Sequence, residues 1–419
     1  MKCCQIFFLG LLLFWGAHLQ AQANSPIPMN VAEGEEFSDL HAFGEAVGDK
    51  RIVLLDELTH GEHENFALKA RLVRYLHQHK GFGALVLESG LYDVAQIWQQ
   101  PEKSIRSQAP GNIFYMYANS EPVNALFDYI DAQRKSERPL ELAGFDGRLS
   151  GEYSLAGVGS FIKASSERFA PELSKSVDWQ GYLALTQQVL ARNAGKTTEE
   201  EKLQYVHTSH RLMAALNQAD LQGQGYARAD YAARLIHGIA MVAQNLWGQR
   251  RQDENDIAMA DNVQWLLDNQ LKGEKIIVWG HYVHLNYAGT VPHRYDNLGS
   301  LLRRRHGDDM YQAHIAASEG RYRSFVDMQV KAIESRPQPY VEKTVIQQQA
   351  QAEKGAVFLG RAAIDELVGR NPKEAVFYGM QYADVIPGPE WSQYWDGMFV
   401  VPESSPSAAS PGGELAERE

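Results

Sequence analysis

Short apolar runs separated by helix-periodic stretches dominate the pattern along this chain. Arg51–Leu55 (RIVLL), Ala84–Leu87 (ALVL), Leu140–Gly144 (LELAG) and Ile276–Trp279 (IIVW) are nearly continuous in apolar character. Apolarity without alternation predicts strands buried on both faces, as in a parallel sheet covered by helices. Met310–Ala317 and Glu374–Tyr378 carry a weaker version of the same signal. Between the first two runs, Phe66, Leu68, Ala70, Leu72, Val73 and Leu76 form an apolar stripe at helical spacing, which Gly81 ends. Strand, helix and strand in that short compass make a βαβ unit.

From about Leu155 to Lys272 helical periodicity takes over, most clearly in Asp230–Trp247 and Asp256–Gln270. Residues 155–272 therefore read as a mainly helical lobe within one α/β domain spanning 24–401, not as a separate unit. The last stretch, 402–419, reads PESSPSAASPGGELAERE. Without apolar anchors it is expected to be a disordered tail. The predicted fold class is α/β, a mostly parallel central sheet flanked by helices.

Composition narrows the class. A chain of 419 residues with 44% hydrophobic and 22% charged positions is not a disordered, collagen-like or disulfide-stapled protein, and it can bury a large core. The net charge of −12 argues against nucleic acid and anionic membrane as partners. Lys2, the apolar run Ile6–Phe14 and Ala21-Gln22-Ala23 predict a signal peptide over 1–23, too short for a comfortable membrane anchor. The expected location is then periplasmic or secreted. Both cysteines, Cys3 and Cys4, leave with that segment. A mature chain without cysteine has no thiol nucleophile, no thiolate zinc site and no disulfide.

Four acid or imidazole clusters follow the predicted strands. They are Asp56–Glu64 (DELTHGEHE), Glu88, Asp146 and His281-Tyr282-Val283-His284. Ligands of parallel α/β sheets bind beyond the carboxyl ends of the strands, so all four belong to one candidate crevice. His60 with Glu57 or Glu88 makes a base and its orienting carboxylate, able to take a proton from water near neutral pH. His281 and His284 are candidates to hold an oxyanion or protonate a leaving oxygen, and Lys69 supplies positive charge. No G-x-S-x-G elbow occurs, so water activated by His fits better than an acyl-enzyme. The competing reading is a metal site, because His60-x-x-His63 and His281-x-x-His284 space imidazoles for a shared face, although H-E-x-x-H is absent.

Taken together, these motifs resemble the erythromycin esterase family. The resemblance is carried by LDELTHGEHENFALKARLVRYLHQHKGFGALVLESG over 55–90, by Trp279-Gly280-His281-Tyr282-Val283-His284 and by Met259-Ala260-Asp261-Asn262-Val263. Asn297-Leu298-Gly299 and Glu319-Gly320 add two further blocks. The resemblance implies that Glu57, His60, Glu88, His281 and His284 are the catalytic residues, with His60 the general base. It further implies hydrolysis of a carboxylic ester or macrolactone without metal or cofactor, as in macrolide inactivation and antibiotic resistance. Lys69, Asp146 and Tyr282 are expected to contact the substrate.

Four positions depart from the family pattern. Asp56 replaces a Gly and is expected to raise the pKa of Glu57 beside it. Lys69 replaces an Arg, Tyr282 an Asn, and Asn255 stands where an Arg precedes the Met-Ala helix. The expected partner is a small ester or lactone. Oligomeric state is left open, and the two alternatives are a metal-dependent hydrolase and a non-catalytic periplasmic ligand-binding protein.

Overall fold

The computed structural model describes residues 26–29, 36–219, 223–249, 254–289, 295–333, 340–348 and 355–408. The expected signal peptide, 1–23, and residues 409–419 lie outside the described residues. The strands are β1 (Ile27–Met29), β2 (Ile52–Leu55), β3 (Phe82–Gly90), β4 (Glu141–Asp146), β5 (Lys275–Trp279), β6 (Met310–Arg323), β7 (Val330–Ala332), β8 (Ala356–Leu359), β9 (Val376–Tyr378), β10 (Val385–Pro387) and β11 (Gly397–Ser404). Among the described residues nine of them form one sheet in the order β1-β8-β11-β6-β2-β5-β3-β4, with β7 added to the far end of β6. The six from β11 to β4 run parallel. β1 and β8 close one edge antiparallel.

Side-chain alternation along these strands feeds two cores, one on each face. Val53, Leu55, Leu85, Leu87, Ile277 and Trp279 enter one cluster. Ile52, Leu54, Ala84, Val86, Ile276 and Val278 enter the other. That is why the runs read as continuously apolar. The helix α1 (His63–Lys80) presses Phe66, Leu68, Leu72, Val73 and Leu76 into the first core. It stops where Gly81 takes a left-handed φ of 76°, a conformation that glycine adopts without strain. Between β4 and β5 the described residues hold helices and no strand, the longest being Glu199–Gln218 and Ala229–Leu246.

Two segments differ from the sequence reading. Glu374–Tyr378 stays outside the main sheet: its strand, β9, is three residues long and pairs with β10 as a small hairpin, with a single further bridge from Val376 to Tyr340. Residues Pro402–Ser404, expected in a disordered tail, belong to β11, where Glu403 and Ser404 lie beside Glu319 and Gly320 of β6. Backbone pairing holds this stretch, and composition carries no trace of that.

Candidate active site

Leu55 of β2, Trp279 of β5, Leu87 of β3 and Gly144 of β4 lie in register across four adjacent strands. The residues that follow them therefore emerge side by side at one end of the sheet. β5 is inserted between β2 and β3, so the crevice lies where the chain order of the strands is interrupted.

Glu57, fully buried, is the hub of the β2 end. Its Oε1 accepts from His60 Nδ1 at 2.9 Å and from the Tyr117 hydroxyl at 2.7 Å, and its Oε2 accepts from Lys69 Nζ. Since the carboxylate only accepts, Nδ1 of His60 carries the proton and Nε2 is the basic nitrogen. Burial alone would raise the pKa of Glu57. The Lys69 ammonium, the bond from His60 and the His60 charge together outweigh it, and the group stays below its ordinary value. Lys69 lies under the site: its side chain is wholly buried, with Nζ 4.3 Å from the Trp279 ring centroid.

Glu88 occupies the β3 end. Its Oε2 accepts from the backbone N–H of His281 at 2.6 Å. Its Oε1 faces His284 Nε2 at 3.5 Å, Arg148 Nη2 at 3.8 Å and His60 Nε2 at 4.0 Å. His284 donates Nδ1–H to Asp256 at 2.7 Å. Burial lowers the affinity of His284 for a proton, yet the charges of Asp256 and Glu88 outweigh it and lift its pKa to about 9. It is an imidazolium at neutral pH. His281 is the opposite case: burial, then the His60 and His284 charges, push its pKa well down. Its Nδ1 accepts from Val283 N–H at the start of the short helix Tyr282–Leu285. Asp146 binds the Arg148 backbone N–H at 2.8 Å and Arg148 Nε at 2.6 Å.

The structure thus brings Glu57, His60, Glu88, His281, His284 and Asp146 together, and it turns three expected residues away. Lys69 supports Glu57 and reaches no open surface. Tyr282 is buried against His314 and Trp395, with ring centroids 5.3 and 6.4 Å away, so it is not at the crevice. Asp56 does not leave Glu57 with a raised pKa, which lies below its ordinary value. Its carboxylate points to β6, accepting from His314 Nδ1 at 2.9 Å, Gln312 Nε2 at 2.8 Å and Ile315 N–H at 2.8 Å.

Several site residues escaped the sequence reading. Tyr117 and Arg148 bind predicted residues directly, and Asp256 anchors His284. Phe114 and Phe325 pack edge-on to the His60 ring at centroid distances of 4.8 and 5.0 Å. The Tyr115 hydroxyl bonds the Phe325 carbonyl across them. Asp256 and Arg148 had a signal: each lies within a few residues of a motif already singled out. Phe325 lies five residues beyond Glu319-Gly320, whereas Phe114, Tyr115 and Tyr117 are distant in sequence from every motif and had none.

The groups nearest to a metal-binding set are His60 Nε2, His284 Nε2 and Glu88 Oε1. Among the described residues no group of three or more His, Cys, Asp or Glu is arranged to hold a metal ion. Each Nδ1 of this trio is already bound to a carboxylate.

The sequence model described as Erythromycin esterase matches residues 77–398. The chain belongs to the erythromycin esterase family. The matched stretch contains Glu88, Asp146, Asp256, His281 and His284, while Glu57, His60 and Lys69 precede it. YbfO of Bacillus subtilis (strain 168), provisionally named a hydrolase, is 25% identical over 94% of this chain and 92% of its own length. Erythromycin esterase type II of Escherichia coli is 22% identical over 68% of this chain and 73% of its own. Among solved structures, a succinoglycan biosynthesis protein superimposes with a TM-score of 0.73 at 16% identity, over 94% of this chain and 98% of that one. A histidine-to-asparagine mutant of erythromycin esterase EreC, in its open conformation, superimposes with a TM-score of 0.64 at 15% identity, over 94% and 99%. At these identities the superpositions establish a shared erythromycin-esterase-like α/β fold.

Proposed function

We propose that the chain is a hydrolase of carboxylic esters or lactones in which His60 activates water without a metal. The observation that carries this reading is the paired anchoring at Glu88. Two imidazoles turn their Nε2 atoms towards one carboxylate oxygen, and each is fixed at Nδ1 by its own acid, Glu57 for His60 and Asp256 for His284. That asymmetry assigns two roles. His60 Nε2 takes a proton from water as the water oxygen attacks the acyl carbon. His284, charged at neutral pH, stabilises the developing oxyanion together with Arg148. Collapse of the tetrahedral intermediate breaks the acyl–oxygen bond, and the departing alkoxide recovers the proton from His60. Glu88 orients the water, and His281 positions Glu88 through its backbone N–H.

Family membership and the named relatives support hydrolase activity, and an ester or macrolactone is the substrate class this catalytic set suits. The leader-like start supports work outside the cytoplasm, in the periplasm or beyond it. The test is wild type against His60→Ala on a panel of macrolides and simpler lactones, with chelator and with added divalent metal. Loss of general-base assistance is worth roughly 10²–10⁴-fold in rate. Full activity of His60→Ala defeats the assignment, and activity abolished by chelator and restored by metal defeats the metal-free step.

A further inference from the structure

Beyond β11 the chain crosses the loop that carries His60. The carbonyl of Ser405 accepts from the N–H of His63 at 3.0 Å, and the Ser405 N–H and hydroxyl donate to the Glu64 carboxylate at 2.5 and 2.6 Å. Pro406 and Glu62 form an antiparallel bridge. The Ser407 N–H donates to the Gly61 carbonyl at 2.9 Å, while the Ser407 carbonyl accepts from Arg323 Nε at 2.9 Å. The Arg323 backbone N–H donates to the same Gly61 carbonyl at 3.0 Å.

These bonds replace what the local sequence lacks. A helix start leaves its first N–H groups without partners inside the helix. Glu62, at the N-cap of α1, makes no side-chain cap bond. The Ser405 carbonyl, from the other end of the chain, takes the first of those donors instead. Gly61 must be glycine here, because a Cβ would collide with the Arg323 backbone. The peptide next to His60 is therefore gripped from two sides, by the end of β6 and by the segment beyond β11.

We infer that Ser405–Ser407 form a clasp that positions the His60 loop, making the C-terminal segment part of the hydrolytic apparatus. The inference rests on the reading of His60 as base. A displacement near 1 Å at a catalytic group lowers rate by about 10²-fold, and the clasp acts on the loop without touching the face of Glu88 and His284 where the acyl group sits. Its loss therefore lowers kcat and leaves KM nearly unchanged.

The experiment compares the full chain with two truncations, one ending at Ala408 and one at Ser404, and with Ser407→Pro, which removes the N–H bonded to Gly61 and puts a proline ring in place of the buried Ser407 side chain. Hydrogen exchange at the amides of residues 59–66 reports the clasp independently of turnover. Ending at Ala408 is expected to change neither exchange nor kcat. Ending at Ser404 is expected to speed exchange in that stretch and lower kcat about 10- to 100-fold, with KM within about twofold. Ser407→Pro is expected to do the same to a smaller degree in a fully folded chain. Unchanged exchange in both the Ser404 truncation and Ser407→Pro overturns the clasp. Faster exchange with unchanged kcat overturns its role in positioning. Absence of turnover in the full chain on every ester counts against the hydrolase reading and with it the positioning role, while exchange still judges the contact.

Discussion

His284 and Asp256 meet at 2.7 Å, and the Asp256 oxygen that holds the imidazole also accepts the Leu298 backbone N–H at 3.2 Å. The carboxylate is thus fixed by a helix start and fixes His284 in turn. Because Asp256 is the largest influence holding the His284 proton against burial, kcat/KM is expected to fall with an alkaline limb near pH 9. In Asp256→Asn the burial penalty remains and the largest opposing charge is gone, leaving only that of Glu88, so that limb moves to lower pH. A pH–rate profile of both proteins checks this. An alkaline limb that stays near 9 in the variant removes His284 from the role given to it.

The Glu57–Lys69 pair is sealed from solvent at both ends. Breaking a buried pair by removing one partner is strongly destabilising, about 3–5 kcal/mol, since the remaining charge is stranded. Lys69→Met is expected to show a loss of that order in urea unfolding, together with lower kcat because Glu57 loses the charge that keeps it ionised. Glu57→Gln combined with Lys69→Met is expected to be less destabilised than the two single losses added together. Strict additivity would mean that the two side chains are not coupled.

The strands and the first helix were legible because burial on both faces leaves an unmistakable apolar run, and because Gly81 marks a left-handed helix end. The convergence of the candidate site was legible for a related reason: a strand that ends in a polar or charged residue delivers it to the top of the sheet, as near Glu57, Glu88 and His281. Direction was not legible. Asp56 and Glu57 are adjacent, yet one faces β6 and the other faces His60. Only the pleat of β2 and the presence of His314 on β6 decide which. Asp256, Tyr117 and Phe325 reach the site from separate elements, through contacts that no local pattern encodes. Residues 402–407 look like a tail by composition because backbone hydrogen bonds leave no mark on it.

Tyr282 offers a sharp separation between sequence resemblance and position. It stands where the family has Asn, and on that ground it was expected to meet substrate. Packed on His314 and Trp395, it has no route to the crevice. Tyr282→Phe is therefore expected to leave KM unchanged on any ester cleaved, whereas Tyr282→Ala is expected to cost about 3–5 kcal/mol in stability through the cavity it opens. A several-fold rise in KM for the Phe variant, measured by initial rates, would return the residue to the substrate surface.

Glu62 makes stability depend on pH in a direction opposite to that of an ordinary surface carboxylate. It is fully buried, accepting from the Tyr382 hydroxyl at 2.5 Å and from Thr59 Oγ1 at 3.2 Å, and burial pushes its pKa up to about 8 from the ordinary 4.5. The folded chain therefore keeps a proton that the unfolded chain has released anywhere between those two values. Stability from this group is present at low pH and declines as pH rises to about 8, beyond which both states are ionised. His284 adds to the same trend at higher pH. Its folded pKa of about 9 exceeds the ordinary 6.5, so its contribution is complete below 6.5 and is lost as pH passes 9. Urea midpoints measured at about pH 5, 7 and 9 are expected to fall in that order once other groups are held constant by comparison with Glu62→Gln. The variant carries a neutral amide in place of the carboxyl, so its midpoint is expected to change less between the two lower values while keeping the later fall due to His284. Parallel curves for wild type and Glu62→Gln would show that Glu62 is ionised in the folded chain. The His60 loop would then hold a buried negative charge beside Tyr382.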